Sequence, residues 1–282
     1  MKIFETQEHA LSSALIIVLY AIVFFIAKFI NDLLTPYNIN RELTHNDNAA
    51  LAVSLTGYFA GVTIIFVSVV SGPHVGLWQD LTAVAAYSLG GVVCLNAARI
   101  INDRLILSQF SNVEQIVKMK NNSAGVVQGG FYIASGLVIG GAVQGEGGGP
   151  ALALVFFAIG QIVMVAFSLL YVKLVSYSVQ KEIEENNLAA AFGFAGGLIA
   201  IGIIVMKAVS GTFIGWTDSL ILLAFDASLI FILLIVVRFF FDKLIIPQSD
   251  LNHEIAKDKN IGAGLLEMFA FIGFSLVLFY TL

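Results

Sequence analysis

Two carboxylates lie inside long apolar runs of the sequence, where an ionised side chain is costly. Asp226 follows Asp218 by eight residues, and Glu267 lies six residues past Ile261. On a helix that rises about 1.5 Å per residue, these offsets place them about 12 Å and about 9 Å into their runs. Carboxylates at such depths face the protein interior, pair with a base or take up a proton. They are therefore candidates for proton or cation coupling, and Arg238 offers the alternative of a structural ion pair with Glu267.

Other polar residues in the apolar runs extend this set. Gln161 is an amide in the middle of one run, and Asn96, Arg99 and Asp103 share one helical face at intervals of three and four residues. This stripe either lines an aqueous vestibule or anchors the inner membrane interface, with Arg99 extending its charge to water.

The composition indicates which elements hold these residues. Of 282 residues, 59% are hydrophobic and 12% are charged, and the mean hydropathy is +0.92. Soluble domains are typically about 25% charged, so the composition excludes a soluble enzyme domain and a disordered chain. The net charge of −5 provides no basic patch for nucleic acid. We therefore expect a polytopic protein whose main partner is the lipid bilayer.

Eight apolar runs are long enough to cross a bilayer, which takes about 20 residues. They must be helices, because a backbone in lipid has to satisfy its own hydrogen bonds. The predicted fold is all-α, with spans over Leu11–Leu34, Ala49–Val70, Leu81–Leu107, Ser123–Val143, Ala151–Val175, Leu188–Ser210, Ser219–Ile246 and Ile261–Leu282.

The basic residues predict the orientation of these spans. All Lys and Arg residues except Lys2 and Lys207 lie nearest the loops at one end of the spans. Basic loops stay in the cytoplasm, so both termini are predicted to face outward. The sequence after the first run shows no cleavage pattern, and we expect that run to be a retained span rather than a signal peptide.

A short phrase recurs at the start of every second span, where an asparagine precedes small or apolar residues. The aligned positions are Asn48, Asn122, Asn187 and Asn260. Asparagine is a favoured helix N-cap, and the alternative is a ring of amides that lines a pore mouth or binds a partner. Each unit is then two helices joined by a basic loop.

A larger period links the two parts of the chain. Asn48 and Asn187 are 139 residues apart, and Arg99 with Asp103 recurs as Arg238 with Asp242. We therefore predict two four-helix halves, 1–144 and 145–282, as parallel repeats about an axis along the membrane normal.

Tandem two-helix units with an Asn-x-small phrase resemble the bacterial inner-membrane family catalogued as "domain of unknown function 350". The resemblance covers essentially the whole chain as four units. It implies a polytopic helical protein of the bacterial inner membrane and implies no established activity.

Within this repeat, the polar residues of the second half have no counterparts in the first. Counting back one period from Asp226, Glu267 and Gln161 leads to residues that carry no charge or amide: Ser88, Gly129 and Ile22. We expect these three polar groups to belong to the second half alone.

Catalytic and metal chemistry is not predicted. Cys94 is the single cysteine, the four histidines lie outside the spans, and no nucleophile-elbow or HExxH motif occurs. We expect no enzyme activity, cofactor or metal.

Two functions remain open. One is a transporter or channel for a small ion or solute, with Asp226 and Glu267 on its path. The other is a scaffold subunit of an envelope-maintenance complex that recruits a cytoplasmic protein through loops 108–122, 176–187 and 242–260. Glycine-rich helix faces also allow a homo-oligomer.

Overall fold

The protein is an all-α bundle, seen in a computed structural model that describes residues 2–145, 149–211, 213, 215–240, 243 and 250–281. Eight described helices are long and apolar enough to cross a membrane, and no strand occurs among these residues. In chain order the helices are α1 (Lys2–Leu34), α2 (Ile39–Thr44), α3 (Ala49–Val70), α4 (Leu77–Leu105), a π-helical turn (Glu114–Lys118), α5 (Asn122–Gln144), α6 (Gly149–Leu174), α7 (Val179–Glu184), α8 (Leu188–Val209), α9 (Trp216–Phe240), α10 (Leu251–Ala256) and α11 (Ile261–Thr281).

The eight spans correspond to the predicted runs, with shifted ends. Helix α4 begins at Leu77 rather than Leu81, because the Trp78–Asp80 turn is already helical. The predicted seventh run extended to Ile246, and residues 244–246 lie outside the described residues, as does Asp242.

Four helices form a row at the centre of the bundle: α3 packs on α5, α5 on α8, and α8 on α11. Helix α4 lies against α3 and α5, α6 against α5 and α8, and α9 against α8 and α11, while α1 contacts α3 and α4. The two inner helices of the row are the most enclosed of the eight described spans, since 78% of an 18-residue apolar stretch of α5 and 89% of one of α8 is buried. The row is therefore the core of the fold.

Small residues allow the helices of this row to approach closely. A Cβ on Gly57 of α3 would overlap the backbone of Gly129 on α5. A Cβ on Gly202 of α8 would lie 2.8 Å from the Ala134 Cα of α5. In lipid, where burial of apolar surface gives no net gain, such close contact supplies the van der Waals attraction that holds helices together.

Short elements close one end of the bundle, which we call the basic end. It consists of α2, the π-helical turn, α7 and α10, each packed on the adjacent helices of the row. The other end, which holds the α3–α4 connection around Val75, is called the opposite end.

Asparagine caps the helices of the row at the basic end. The Asn48 side chain accepts from Leu51 N, that of Asn121 from Ala124 N, and that of Asn187 from Ala190 N. Asn260 likewise accepts from Gly262 N at 3.0 Å. Capping is therefore the role that the described geometry gives this phrase.

The predicted position Asn122 is wrong by one residue. Asn122 is the first residue of α5, and Asn121 is its N-cap. From the sequence, either asparagine of the Asn121–Asn122 doublet could be aligned with the other caps. The backbone shows that Asn121 is the cap. The residue before each cap has a left-handed conformation, with φ of 47° at Asp47 and 50° at Lys120.

The cap amides also connect successive loops. Asn48 Nδ2 donates to Ile116 O at 2.9 Å, and Asn121 Nδ2 donates to Ile183 O at 2.8 Å. Asn187 Nδ2 donates to the corresponding carbonyl in α10, that of Ile255, at 2.8 Å. Each buried asparagine thus caps its own helix and binds the next loop along the chain.

Candidate functional site

A buried ion pair joins α9 to α11 near the basic end. Arg238 Nη1 contacts Glu267 Oε1, and the Glu267 side chain is 1% exposed. The carboxylate lies directly on Gly193 of α8, where a Cβ would overlap it. Arg238 also donates to Asn252 Oδ1 at 2.8 Å and to Tyr171 Oη at 3.4 Å. The Arg238–Glu267 pair that the sequence suggested is present.

Aromatic and polar groups surround the Arg238 guanidinium. It lies 5.8 Å from the centroid of the Tyr171 ring, within the range of a cation–π contact. Tyr177 lies beside it, and burial raises the pKa of the Tyr177 phenol well above its ordinary value, so this neighbour stays neutral. A pocket of about 190 Å³ at the basic end is lined by Arg238 and Asn252. The ion pair is therefore reached from the basic end through Arg238.

Arg99 occupies a comparable place between α1 and α4. Its Nη1 donates to Asn31 Oδ1 at 3.4 Å, and its Nη2 donates to the Leu34 carbonyl at 3.2 Å. Tyr132 and Tyr37 both lie beside it. Burial raises the pKa of the Tyr37 phenol, as it does for Tyr177. Within the described part of the chain, no carboxylate comes within the 4.0 Å of a salt bridge to Arg99. Both arginines thus face a phenol and an uncharged acceptor. Among the described residues, Arg238 has a carboxylate within salt-bridge distance, whereas Asp103 acts on Arg99 from farther away.

The side-chain amides of Asn112 and Gln128 contact Asp103, the acidic residue near Arg99. Asp103 Oδ1 accepts from Asn112 Nδ2 at 2.6 Å, and the Gln128 side chain lies beside the same carboxylate. Gln128 Oε1 in turn accepts from Ser54 Oγ at 2.7 Å. A pocket of about 190 Å³ is lined by Arg99, Asp103, Asn112 and Gln128. Arg99 and Asp103 therefore share a polar pocket.

The corrected asparagine register changes one expectation about the two halves. Gln128 lies seven residues after its cap Asn121, and Glu267 lies seven residues after its cap Asn260. The counterpart of Glu267 is therefore Gln128 and not Gly129, and the expectation that the first half lacks a polar group at this place is wrong. The first half carries the uncharged amide of the same shape.

Comparison with known proteins agrees with this architecture. The family model described as Domain of Unknown Function (DUF350) matches residues 6–143 and again 148–282. The chain belongs to the DUF350 family. It is 24% identical over 269 residues to the UPF0719 transmembrane protein of Aquifex aeolicus (strain VF5), which covers 92% of this chain and 96% of that protein. No solved structure matches the chain.

In this DUF350 protein, Asp226 is remote from the Glu267 carboxylate. It is half-buried on α9, twelve residues before Arg238, which corresponds to about 18 Å along the helix. The charge of Lys207 on α8 acts on it. The structure therefore places the two candidate carboxylates at different depths and does not bring them together.

Two buried amides complete the set of predicted residues. Asn96 donates to Tyr58 Oη at 3.2 Å and to Val92 O at 2.9 Å, and it faces the core between α3 and α4 rather than the Arg99 pocket. Gln161 on α6 is 3% exposed, and neither polar atom of its side chain has a hydrogen-bond partner among the described residues. Gln161 is not part of either arginine site.

Sequence reasoning missed several residues of these sites: Asn31, Asn112, Gln128, Tyr171 and Asn252. All five are uncharged, and they lie on helices or loops other than α4 and α9, which carry Arg99 and Arg238. Gln128 carried a detectable signal, because it stands at the Glu267 position once Asn121 is taken as the cap. Asn31, Asn112, Tyr171 and Asn252 come close to these sites because of how α1 and α6 are rotated about their axes and how the loops run, which the sequence pattern does not reveal.

Proposed function

We propose that this protein moves a small ion or solute across the membrane and that the Arg238–Glu267 pair couples this movement to a proton. The observation that carries the proposal is a nearly inaccessible carboxylate paired with an arginine that lines a pocket at the basic end. Intramembrane charges are costly and mark ion or proton pathways in many membrane proteins.

The contacts of Arg238 supply a physical basis for coupling. Protonation of Glu267 removes its charge and with it the strongest attraction on the guanidinium. Arg238 then keeps Asn252 and Tyr171 as uncharged partners, at 2.8 Å and 3.4 Å. It can move toward the pocket without becoming an isolated charge. Proton uptake by Glu267 would thus change the exposure of Arg238.

Polar groups at other depths extend the proposed path. Asp226 and Lys207 lie toward the opposite end of α8 and α9. Ser275 Oγ on α11 is buried and has no hydrogen-bond partner in the described part of the chain, and the same holds for both polar atoms of Gln161. Buried polar groups without protein partners are places where water or a solute can bind.

The membrane and orientation belong to the same proposal. We place the protein in the bacterial inner membrane with the basic end in the cytoplasm and both termini in the periplasm, because basic loops are retained inside. The two matches of the family model and the four similar asparagine caps support an origin by duplication of a four-helix half.

Reconstituted vesicles provide the test. Proton and monovalent-cation flux is measured for the wild type, Glu267→Gln and Asp226→Asn, with Glu114→Gln as a control because Glu114 is exposed on the π-helical turn. We expect flux in the wild type and the control, and its loss in a folded Glu267→Gln variant. Flux that survives Glu267→Gln would contradict the role of this carboxylate, and absence of flux for either ion in the wild type would contradict proton or cation coupling.

A scaffold role in an envelope complex is the second candidate. Its specific observation is the charged surface of the basic end, where Lys118 and Glu114 have side chains that are 73% and 57% exposed. A cytoplasmic protein that co-purifies with the wild type, and is lost when this surface is neutralised, would favour the scaffold. Retention of flux in the same neutralised variant would favour transport.

A further inference from the structure

The two arginine sites differ by one charge, and the difference points to a ligand. In the second half, Glu267 neutralises Arg238. In the first half, the corresponding residue is Gln128, and Arg99 contacts Asn31, the Leu34 carbonyl and Tyr132. Asp103 is an acidic neighbour of Arg99 beyond salt-bridge distance. A guanidinium binds carboxylate or phosphate oxygens far more strongly than such neutral acceptors. The position that a protein carboxylate fills in one half therefore holds a neutral amide in the other, and Asp103 in the same pocket lies beyond salt-bridge distance of Arg99.

We infer that the pocket at Arg99 binds the anionic group of a zwitterionic ligand, with phosphoethanolamine as the fitting chemistry. The pocket of about 190 Å³ also has Arg104 in its wall, so a phosphate can meet two guanidinium groups. Apolar walls from Leu34, Ile100 and Val113 suit the glycerol and first methylenes of a lipid.

Two hydrogen-bond acceptors in the pocket, Asn112 Oδ1 and the Asp103 carboxylate, require that the ligand carry a hydrogen-bond donor as well as an anionic group. Asn112 Oδ1 is buried with no hydrogen-bond partner from the residues that the structure describes, while its amide nitrogen donates to Asp103. A simple anion would leave this oxygen unsatisfied and would face the Asp103 carboxylate. An ammonium next to the phosphate donates to Asn112 Oδ1 and interacts favourably with Asp103. One zwitterion therefore satisfies the arginines and the acceptors together.

The location allows two sources for this chemistry. Leu34 and Asp103 lie in the last turns of α1 and α4, at the basic end. We expect lipid headgroups at this level because the two apolar spans end there. The ligand is either the headgroup of a phosphatidylethanolamine or a free phosphoethanolamine-like solute. This inference concerns the first half and does not depend on the transport proposal, which rests on Glu267.

Binding to delipidated protein in detergent tests the inference. The probes are a short-chain phosphatidylethanolamine, the phosphatidylcholine of the same chain length, free phosphoethanolamine and inorganic phosphate. Native mass spectrometry counts bound molecules, and the shift of the unfolding temperature reports affinity. We expect phosphatidylethanolamine or phosphoethanolamine to bind saturably, and phosphatidylcholine, whose quaternary ammonium has no N–H, to bind more weakly. The stronger of the two ethanolamine probes identifies the source.

Variants separate this site from general lipid contact. Arg99→Gln should weaken binding by about tenfold or more, because a charge-assisted contact is lost. Gln128→Glu should abolish binding by supplying the carboxylate that Glu267 supplies to Arg238, and its unfolding temperature shows whether it folds. Arg41→Gln, at an exposed position of the same end, should bind like the wild type. Equal binding by wild type, Arg99→Gln and Gln128→Glu, or no preference over phosphatidylcholine, would overturn the inference.

Discussion

The Glu267 carboxylate illustrates how single residues decide the energetics of this bundle. Taking two charges out of water costs several kcal/mol per ion, and their attraction offsets this only when the remaining polar atoms are also satisfied. Asn252 and Tyr171 supply that support to Arg238. Removal of one partner then leaves an uncompensated charge, whereas removal of both does not.

This asymmetry predicts a strong coupling between the two residues. Arg238→Met alone should lower the free energy of unfolding by about 3–5 kcal/mol, because Glu267 loses its partner. The double variant Arg238→Met, Glu267→Gln should recover most of that loss. Denaturant unfolding in mixed micelles measures the cycle, and additive effects of the two changes would contradict a direct pair.

The doublet at 121–122 predicts different effects for two neighbouring asparagines. Asn121→Ala removes an N-cap and the bond to Ile183 O, and should cost about 1–2 kcal/mol of unfolding free energy. Asn122→Ala should change it by less than about 0.5 kcal/mol, because Asn122 is already in the helix. Equal losses in thermal unfolding of the two variants would argue against Asn121 as the cap.

Among the elements, the row of α3, α5, α8 and α11 depends on close backbone approach. The glycine at position 57 faces backbone on α5, whereas Gly90 on α4 has no atom within 4 Å of a built Cβ. Both glycines are inside helices, so they share the intrinsic cost of glycine in a helix and differ only in their surroundings.

Gly57→Ala and Gly90→Ala therefore form a matched pair. Gly57→Ala should destabilise the protein by about 1–3 kcal/mol through forced separation of α3 and α5. Gly90→Ala should be neutral or stabilise it by up to about 1 kcal/mol, since alanine is the better helix former. Unfolding temperatures in the same detergent compare the two, and a smaller loss for Gly57→Ala than for Gly90→Ala would count against the row.

Helix positions could be predicted from the sequence because apolar length alone determines a span. Helix ends were less certain, as the start of α4 at Leu77 shows. The Arg238–Glu267 pair could be suggested from the sequence, since the two residues lie at similar depths on consecutive spans. The contacts of Arg99 with Asn31 and of Asp103 with Asn112 were not predictable, because they depend on helix rotation and loop path, which hydropathy does not encode.

For the whole molecule, the uneven distribution of basic residues implies one orientation. Lys118 lies at the basic end, and Val75, which is 76% exposed, lies at the opposite end. If basic loops remain in the cytoplasm, Lys118 is on the cytoplasmic side of the membrane and Val75 is on the outer side.

Cysteine labelling distinguishes the two orientations. In a Cys94→Ala background, Val75→Cys should react with an impermeant maleimide applied to spheroplasts. Lys118→Cys should react only after the membrane is opened. Mass shifts on gels record both reactions, and the reverse pattern would show that the basic end faces outward.

The protonation state of Glu267 tests the central proposal most directly. Infrared difference spectra of the reconstituted protein are recorded as the pH is lowered, for the wild type, Asp226→Asn and Glu267→Gln. We predict that a protonated carboxylic acid band grows in the wild type and in Asp226→Asn and is missing in Glu267→Gln. If no band depends on Glu267 across the pH range in which the folded protein conducts, Glu267 is a static structural partner of Arg238 and proton coupling through it is contradicted.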